Sequence, residues 1–405
     1  MHRQVDRAMT PNTAESHARS WLILAGLTLG VTVTNGFARF AYGLILPAMR
    51  AELGWSYAQA GWLNTANAFG YVMGAVATMW LIARLPPTRL FTLGILGTTL
   101  SLLATGLDPE LGWQTFWRIA AGMTGALSFS TAGVLAARLF PGDARRNALG
   151  IALLFGTGGG LGIVLSGASI PLILEGWGTS AWPWGWGAIG TLSLLCLPLS
   201  LWSARSLSVG TQEAPRPVSL PLRAIAPELA GYAGFGLGYI VYLTFLAAWM
   251  TDQAATPRFI AAVWMLMGLC ICVSPFLWRP VFARWASGLP LALVLSGIAL
   301  GSVLPVVLPP GWPVIASAVV FGCCVFMAPP AITSFIRQNL EPAAWGAAMS
   351  LFTAVFAVSQ TFGPWAAGLI GDLTGNIGDS LLAGAAILMC GAICALAQKS
   401  LPRAG

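Results

Sequence analysis

The sequence predicts an all-α membrane protein with twelve transmembrane helices arranged as two six-helix bundles. Composition, twelve long apolar runs and the placement of the basic residues lead to this reading. Of 405 residues, 57% are hydrophobic and 8% charged, and mean hydropathy is +0.77. Soluble domains run at roughly a quarter charged, so a water-soluble globular protein of this size is excluded. Crossing about 30 Å of hydrocarbon takes roughly 20 helical residues. Runs of that kind cover 21–46, 58–82, 88–107, 112–138, 147–174 and 181–203, then 228–250, 258–280, 289–308, 312–336, 343–371 and 380–399.

The first run is too long for a signal-peptide core and follows a polar tail, Met1–Ser20, so it is expected to stay as a membrane helix. The only other polar stretch of any length is 204–227, with Arg205, Arg216 and Arg223 among Pro215, Pro217 and Pro221. Neither stretch is large enough to fold as a catalytic domain. The second divides the chain into a bundle over 21–203 and a bundle over 228–400, the hydropathy outline of a two-bundle transporter.

Orientation follows from the basic residues when alternate loops are assigned to alternate sides. One side collects Arg3, Arg7, Arg19, Arg84, Arg89, Arg138, Arg145, Arg146, Arg205, Arg216, Arg223, Arg279, Arg284, Arg337, Lys399 and Arg403. The other holds Arg50 and Arg258, while Arg39 and Arg118 fall inside spans. Both termini and the linker are therefore expected in the cytoplasm, with the helices in the cell (inner) membrane. An odd number of helices would scramble this bias. The +7 net charge is spread singly between apolar runs, so no patch follows a nucleic-acid backbone.

An ionised side chain in hydrocarbon costs about 2.5 kcal/mol or more, so it needs water, a partner or a ligand. Arg39 and Arg118 are the two clear cases. At about 1.5 Å per residue, each lies on the outer side of its helix midpoint, by about 8 and 10 Å. In the first run Thr28, Thr32, Asn35, Arg39 and Tyr42 recur every three or four residues and predict one polar stripe. Asn64, Asn67 and Tyr71 repeat the pattern in the second run, and Tyr232, Tyr239 and Tyr242 in the seventh.

Each candidate has a plainer role beside the functional one. Arg39 could snorkel to the interface. Arg118 could brace or gate the amino-terminal bundle. Asn64 and Asn67 could be interhelical hydrogen-bond partners. The tyrosines could simply line or pack, although the hydroxyls of Tyr239 and Tyr242 suit a ligand. The glycines of Phe155–Gly162 read as a close-packing surface; no strand precedes them and no Lys-Ser/Thr follows, so they are not a nucleotide loop.

The run Gly36-Phe-Ala-Arg-Phe-Ala-Tyr-Gly43, with Leu46–Ser56 and Gln59–Asn67 after it, resembles the first two helices of a major facilitator superfamily carrier, closest to its YbfB/YjiJ-like branch. Gly234–Phe245 resembles that branch too, Arg118-Ile-Ala-Ala-Gly122 is similar to the superfamily's Arg-x-x-x-Gly signature, and Gly363, Pro364, Gly368, Asp372 and Gly375 resemble the end of helix eleven. The resemblance implies the major facilitator fold, a small-molecule substrate and alternating access, with helices one and four around a central cavity. Two positions depart from it. Trp80–Arg89 keeps only the basic residues of the usual Asp-Arg loop motif, and Phe155–Gly162 lacks the proline of the antiporter signature.

The seven cysteines all lie in apolar stretches and read as small core residues. His2 and His17 are both in the tail, so no zinc spacing occurs and no cofactor is expected. The acids, Asp6, Glu15, Glu52, Asp108, Glu110, Asp143, Glu175, Glu213, Glu228, Asp252, Glu341, Asp372 and Asp379, map to the tail, loops or helix ends. Two arginines without an acidic partner suit an anionic substrate, probed by Asn35, Arg39, Tyr42, Asn64, Asn67, Arg118, Tyr239 and Tyr242. A proton, as the candidate coupling ion, would then ride on the substrate's own acid group or on an end-of-helix carboxylate. A membrane enzyme would need a nucleophile, a metal cluster or paired carboxylates in the bilayer, and none is visible. An exporter of neutral, drug-like compounds and a receptor built on a carrier scaffold are the competing expectations.

Overall fold

The computed structural model describes residues 13–207, 210, 219–309 and 311–401. The expected tail up to residue 12 and linker positions 208–209 and 211–218 lie outside them. Twelve long helices follow one another among the described residues. The first, α1, is built from Thr13–Val31, Thr32–Phe40 and Tyr42–Leu53. Then come α2 (Tyr57–Leu81), α3 (Pro87–Thr105), α4 (Leu111–Ala136), α5 (Ala144–Trp177) and α6 (Trp182–Arg205). The second half contains α7 (Leu222–Asp252), α8 (Pro257–Arg284), α9 (Leu289–Val307), α10 (Trp312–Asn339), α11 (Pro342–Thr374) and α12 (Ile377–Leu396).

Eleven of these are long and apolar enough to cross a membrane. The other is α2, whose 25 residues suffice in length while Gln59, Asn64 and Asn67 lower its hydropathy. Several helices outrun the apolar stretches that announce them, because capped polar turns extend past the hydrocarbon. Ser56 and Gln59 form a reciprocal capping box at the start of α2. Asp143, Thr256 and Asn376 cap α5, α8 and α12 with their side chains. Left-handed Gly54 and Gly375 end α1 and α11.

Two helices change winding in mid-course. In α1, Thr32–Phe40 is a π-helix, and the Ala41 N–H reaches back five residues to the Gly36 carbonyl at 3.2 Å. Its widened turn lets α1 and α5 touch backbone to backbone, since a Cβ on Gly36 would stand 2.6 Å from the Gly162 Cα. In α10, Val325–Met327 tightens to a 3₁₀ turn just before Pro329 and Pro330. Those prolines lack the N–H groups that would continue an α ladder.

In the first half α2 packs on α4, α4 on α3, and α1 on α5 and α6; in the second, α7 packs on α12 and α11, α9 on α12 and α10. The halves meet where α2 faces α11, where α5 faces α8 and where the end of α1 faces α7. The α5–α8 seam is made of glycine, as expected of the Phe155–Gly162 run: Gly160 and Gly268 face each other, a Cβ on either standing 2.7 Å from the other's carbonyl oxygen.

Burial is lopsided along the facing helices. In α2 the buried residues crowd from Tyr57 to Gly70, and beyond them only Gly74 and Thr78 are buried. In α11 the buried set is dense from Ala357 to Gly371 but reduces to Ala344, Ala348 and Phe352, one i,i+4 stripe, before it. In α7 every residue from Gly238 to Met250 is buried. The halves are therefore sealed together at the end bearing loops 54–56, 253–256 and 375–376, and splayed at the opposite end.

Candidate functional site

Arg39 lies in the last turn of the π segment of α1 and is 5% exposed. Its Nη2 donates to Gln360 Oε1 on α11, across the junction between the halves. The Tyr239 hydroxyl on α7 donates to the same oxygen at 3.1 Å. The ring of Tyr71, on α2, lies 5.1 Å from the Arg39 guanidinium carbon. Gln360 is fully buried, and its Nε2 has no partner among the described residues. Three helices thus bring an arginine, a tyrosine and a glutamine together, and among the described residues no carboxylate bonds to any of them.

Arg118 sits in a different surrounding. It is fully buried and donates to the Leu63 carbonyl at 3.3 Å, the Ala38 carbonyl at 2.5 Å and Asn64 Oδ1 at 3.0 Å. The rings of Tyr42 and Trp186 flank it at 5.0 and 5.5 Å. The guanidinium thereby ties α4 to α1 and α2, next door to Arg39 in the chain of α1. Asn64 Nδ2 continues outward to Thr244 Oγ1 on α7 at 2.6 Å, so this network also reaches across the halves. Asn67 donates to the Arg118 carbonyl at 3.1 Å.

The remaining candidates divide. Asn35 is half-buried, and its side chain makes no hydrogen bond among the described residues. Tyr42 turns into the amino-terminal bundle, its hydroxyl on the Ala60 carbonyl at 2.7 Å and its ring stacked near Trp186. Tyr242 turns away from Arg39, bonds Ser317 on α10 at 2.5 Å and stacks on Phe321 with ring centres 3.9 Å apart. The single polar stripe expected on α1 is also broken: Arg39 faces α11 while Tyr42 faces α2 and α6. The i→i+5 turn between them shifts the register that a spacing of three and four assumes. Thr28 and Thr32 spend their hydroxyls on carbonyls one turn back, those of Leu24 and Thr28.

The sealed end carries a second set of polar contacts between halves. Asp372 at the end of α11 accepts the Tyr57 N–H at 2.7 Å and the Ala58 N–H at 2.9 Å, two amides of the first turn of α2. The Tyr57 hydroxyl donates to Asp252 at the end of α7. Within the first half Arg50 lies over the Tyr57 ring at 3.7 Å, and between the halves Arg258 pairs with Glu175 at 3.1 Å.

Sequence reasoning missed Gln360. Its signal is the one that exposed the arginines, a long polar side chain in mid-span of α11. Glu228 also departs from expectation: because α7 starts at Leu222, this acid lies in the second turn, 1% exposed and with Oε2 unpartnered among the described residues, not at the helix start.

A family model described as "Uncharacterised MFS-type transporter YbfB" matches residues 31–396. No curated protein matches the chain. Among solved structures, a variant of the nucleoside transporter NupG aligns with a TM-score of 0.73 and 13% identity, over 93% of this chain and 99% of that one. A D-xylose-proton symporter gives 0.73 and 14%, over 94% and 98%. A peptide transporter POT variant in complex with sulfate gives 0.71 and 16%, over 92% and 93%. At these identities the likeness is one of fold. With the family match spanning nearly the whole length, the chain belongs to the YbfB family of major facilitator superfamily transporters and is not an enzyme.

Proposed function

We propose that the protein is a secondary transporter that moves a small organic anion, a carboxylate, across the cell membrane by alternating access, with Arg39 as the principal charge partner. The composition of the Arg39 cluster carries this reading. Arg39, the Tyr239 hydroxyl and the unpartnered Gln360 Nε2 are all donors, and one neutral amide oxygen is what two of them share. A substrate carboxylate in place of that oxygen would supply the missing charge, and its second oxygen would give Gln360 Nε2 an acceptor. Arg118, whose donors already meet three acceptors, serves in this reading as a brace, with Asn64 and Asn67 as its partners.

The splayed end faces the cytoplasm in this proposal, since it carries Arg84, Arg89, Arg138, Arg205, Arg284, Arg337 and Lys399. Both termini and the 204–227 linker then lie inside, between bundles at 21–203 and 228–400. The state described is accordingly inward-open. Protons are the proposed coupling ion, by analogy with the neighbour named as a proton symporter.

The test is a thermal-shift screen on purified protein, repeated with Arg39→Gln and Arg39→Lys. Carboxylates should lose most of their effect in Gln and part of it in Lys, which keeps the charge without the planar fork. Undiminished stabilisation by carboxylates in well-folded Arg39→Gln refutes the assignment, and stabilisation by neutral compounds alone favours the drug-like alternative. Flux in proteoliposomes separates carrier from receptor, because a receptor binds without net movement.

A further inference from the structure

We infer that the anion carried is an aryl carboxylate, its acid group at Arg39 and its ring held between two aromatic walls that run from Arg39 toward the splayed end. This rests on the Arg39 reading above and specifies the other half of the ligand.

The first wall belongs to the second half. Tyr239, which bonds Gln360, stacks on Phe235 one turn along α7, with centres 4.5 Å apart and planes 20° apart. Phe356, one turn from Gln360 along α11, lies 5.4 Å from Phe235 at 17° and 5.7 Å from Tyr239 at 29°. The second wall belongs to the first half and starts at Tyr71, the ring beside the Arg39 guanidinium. Phe129 on α4 meets Tyr71 at 6.2 Å, and Phe155 on α5 meets Phe129 at 4.7 Å.

Packing alone would bury such rings. Phe356, Tyr71, Phe129 and Phe155 are instead only half-buried, and Tyr71 and Phe356 lie where the burial of α2 and α11 thins out. Each wall begins on a residue that touches the Arg39 cluster, so charge and aromatic surface are continuous. The phenylalanines offer a polyhydroxylated solute no hydrogen bond, whereas a flat ring can stack on the near-parallel faces of the first wall and meet the second edge to face, Tyr71 and Phe129 standing at 64° and Phe129 and Phe155 at 47°. Spacing narrows the choice further. Four residues separate Gln360 from Phe356, about 6 Å along the helix. That is the reach of a carboxylate joined to its ring by a two-carbon chain.

Binding of 3-phenylpropionate, its neutral amide 3-phenylpropanamide, lactate and gluconate to the purified full-length protein tests the idea. The expected result is that 3-phenylpropionate binds at least about tenfold more tightly than either polar carboxylate. Phe356→Leu, which keeps bulk but not the ring, should reduce that preference by about 3- to 10-fold. Phe129→Leu provides the same reading from the other wall should Phe356→Leu fold poorly. Lactate or gluconate binding as tightly as 3-phenylpropionate overturns the inference while leaving the anion assignment standing. An unchanged preference in both folded leucine variants overturns it as well. Binding of the amide with no binding of any carboxylate removes the anion assignment and this inference together.

Discussion

Replacing Asp372 by Asn should open the sealed end. The carboxylate receives two backbone N–H groups from the first turn of α2, at 2.7 and 2.9 Å, and these amides have no acceptor within their own helix. An Asn keeps one acceptor oxygen and turns an NH₂ group toward the second amide, so one charge-assisted bond is lost and a donor faces a donor. Hydrogen bonds to charged groups contribute about 1.5–3 kcal/mol. The α2 dipole loses its negative partner as well, about 0.3–1 kcal/mol at an accessible terminus. Water reaches part of this junction, so a net loss of about 1.5–3 kcal/mol is a fair expectation, or a 10- to 150-fold shift in population at about 1.4 kcal/mol per decade. Thr65→Cys reports it: Thr65 is 7% exposed and accepts the Trp365 N–H across the junction at 3.2 Å. In a background without the seven native cysteines, a membrane-impermeant maleimide applied from the sealed side should label this position at least about tenfold faster when Asp372 is Asn. The neighbouring half-buried acid, as Asp379→Asn, should leave the rate unchanged. Equal rates for Asp372→Asn and its parent, with both proteins folded, refute the idea that this carboxylate holds the halves together.

Two further outcomes are expected. Arg118→Leu strands buried acceptors on Leu63, Ala38 and Asn64, each costing about 1–3 kcal/mol, so the purified protein should melt well below wild type; Arg118→Lys, able to satisfy some of them, should fall between the two. Reporter fusions after Lys399 and within Gly210–Pro217 should both report cytoplasm, and a periplasmic signal from either would overturn the orientation.

Architecture was legible because hydrocarbon imposes it: twelve apolar runs have few ways to satisfy their backbone other than as spanning helices. The same cost made Arg39 and Arg118 visible, and they are the two buried cations among the described residues. Their partners were not legible. Gln360 is 321 positions from Arg39 and Thr244 is 180 from Asn64, separations that no local spacing encodes. The divergence of Arg39 from Tyr42 was hidden for another reason, since helical periodicity presumes a constant turn and α1 changes its own. Asp372 could be read only as a helix end, because its amide partners belong to the other half of the molecule.

The unusual windings of α1 and α10 are neighbours: Phe40 ends the π segment, Phe326 is the middle residue of the 3₁₀ turn, and their rings lie 5.2 Å apart. A 3₁₀ turn climbs about 2.0 Å per residue against about 1.5 Å for an α turn. Val325–Met327 therefore stores about 1.5 Å of extra length, while the wide turn of α1 holds residues in reserve. Rewinding Thr32–Phe40 to an α turn would swing Arg39 about the α1 axis, and rewinding Val325–Met327 would slide the Phe326 ring along that of Phe40. Slack of this kind lies beside the buried cation, within two helices that otherwise behave as rods.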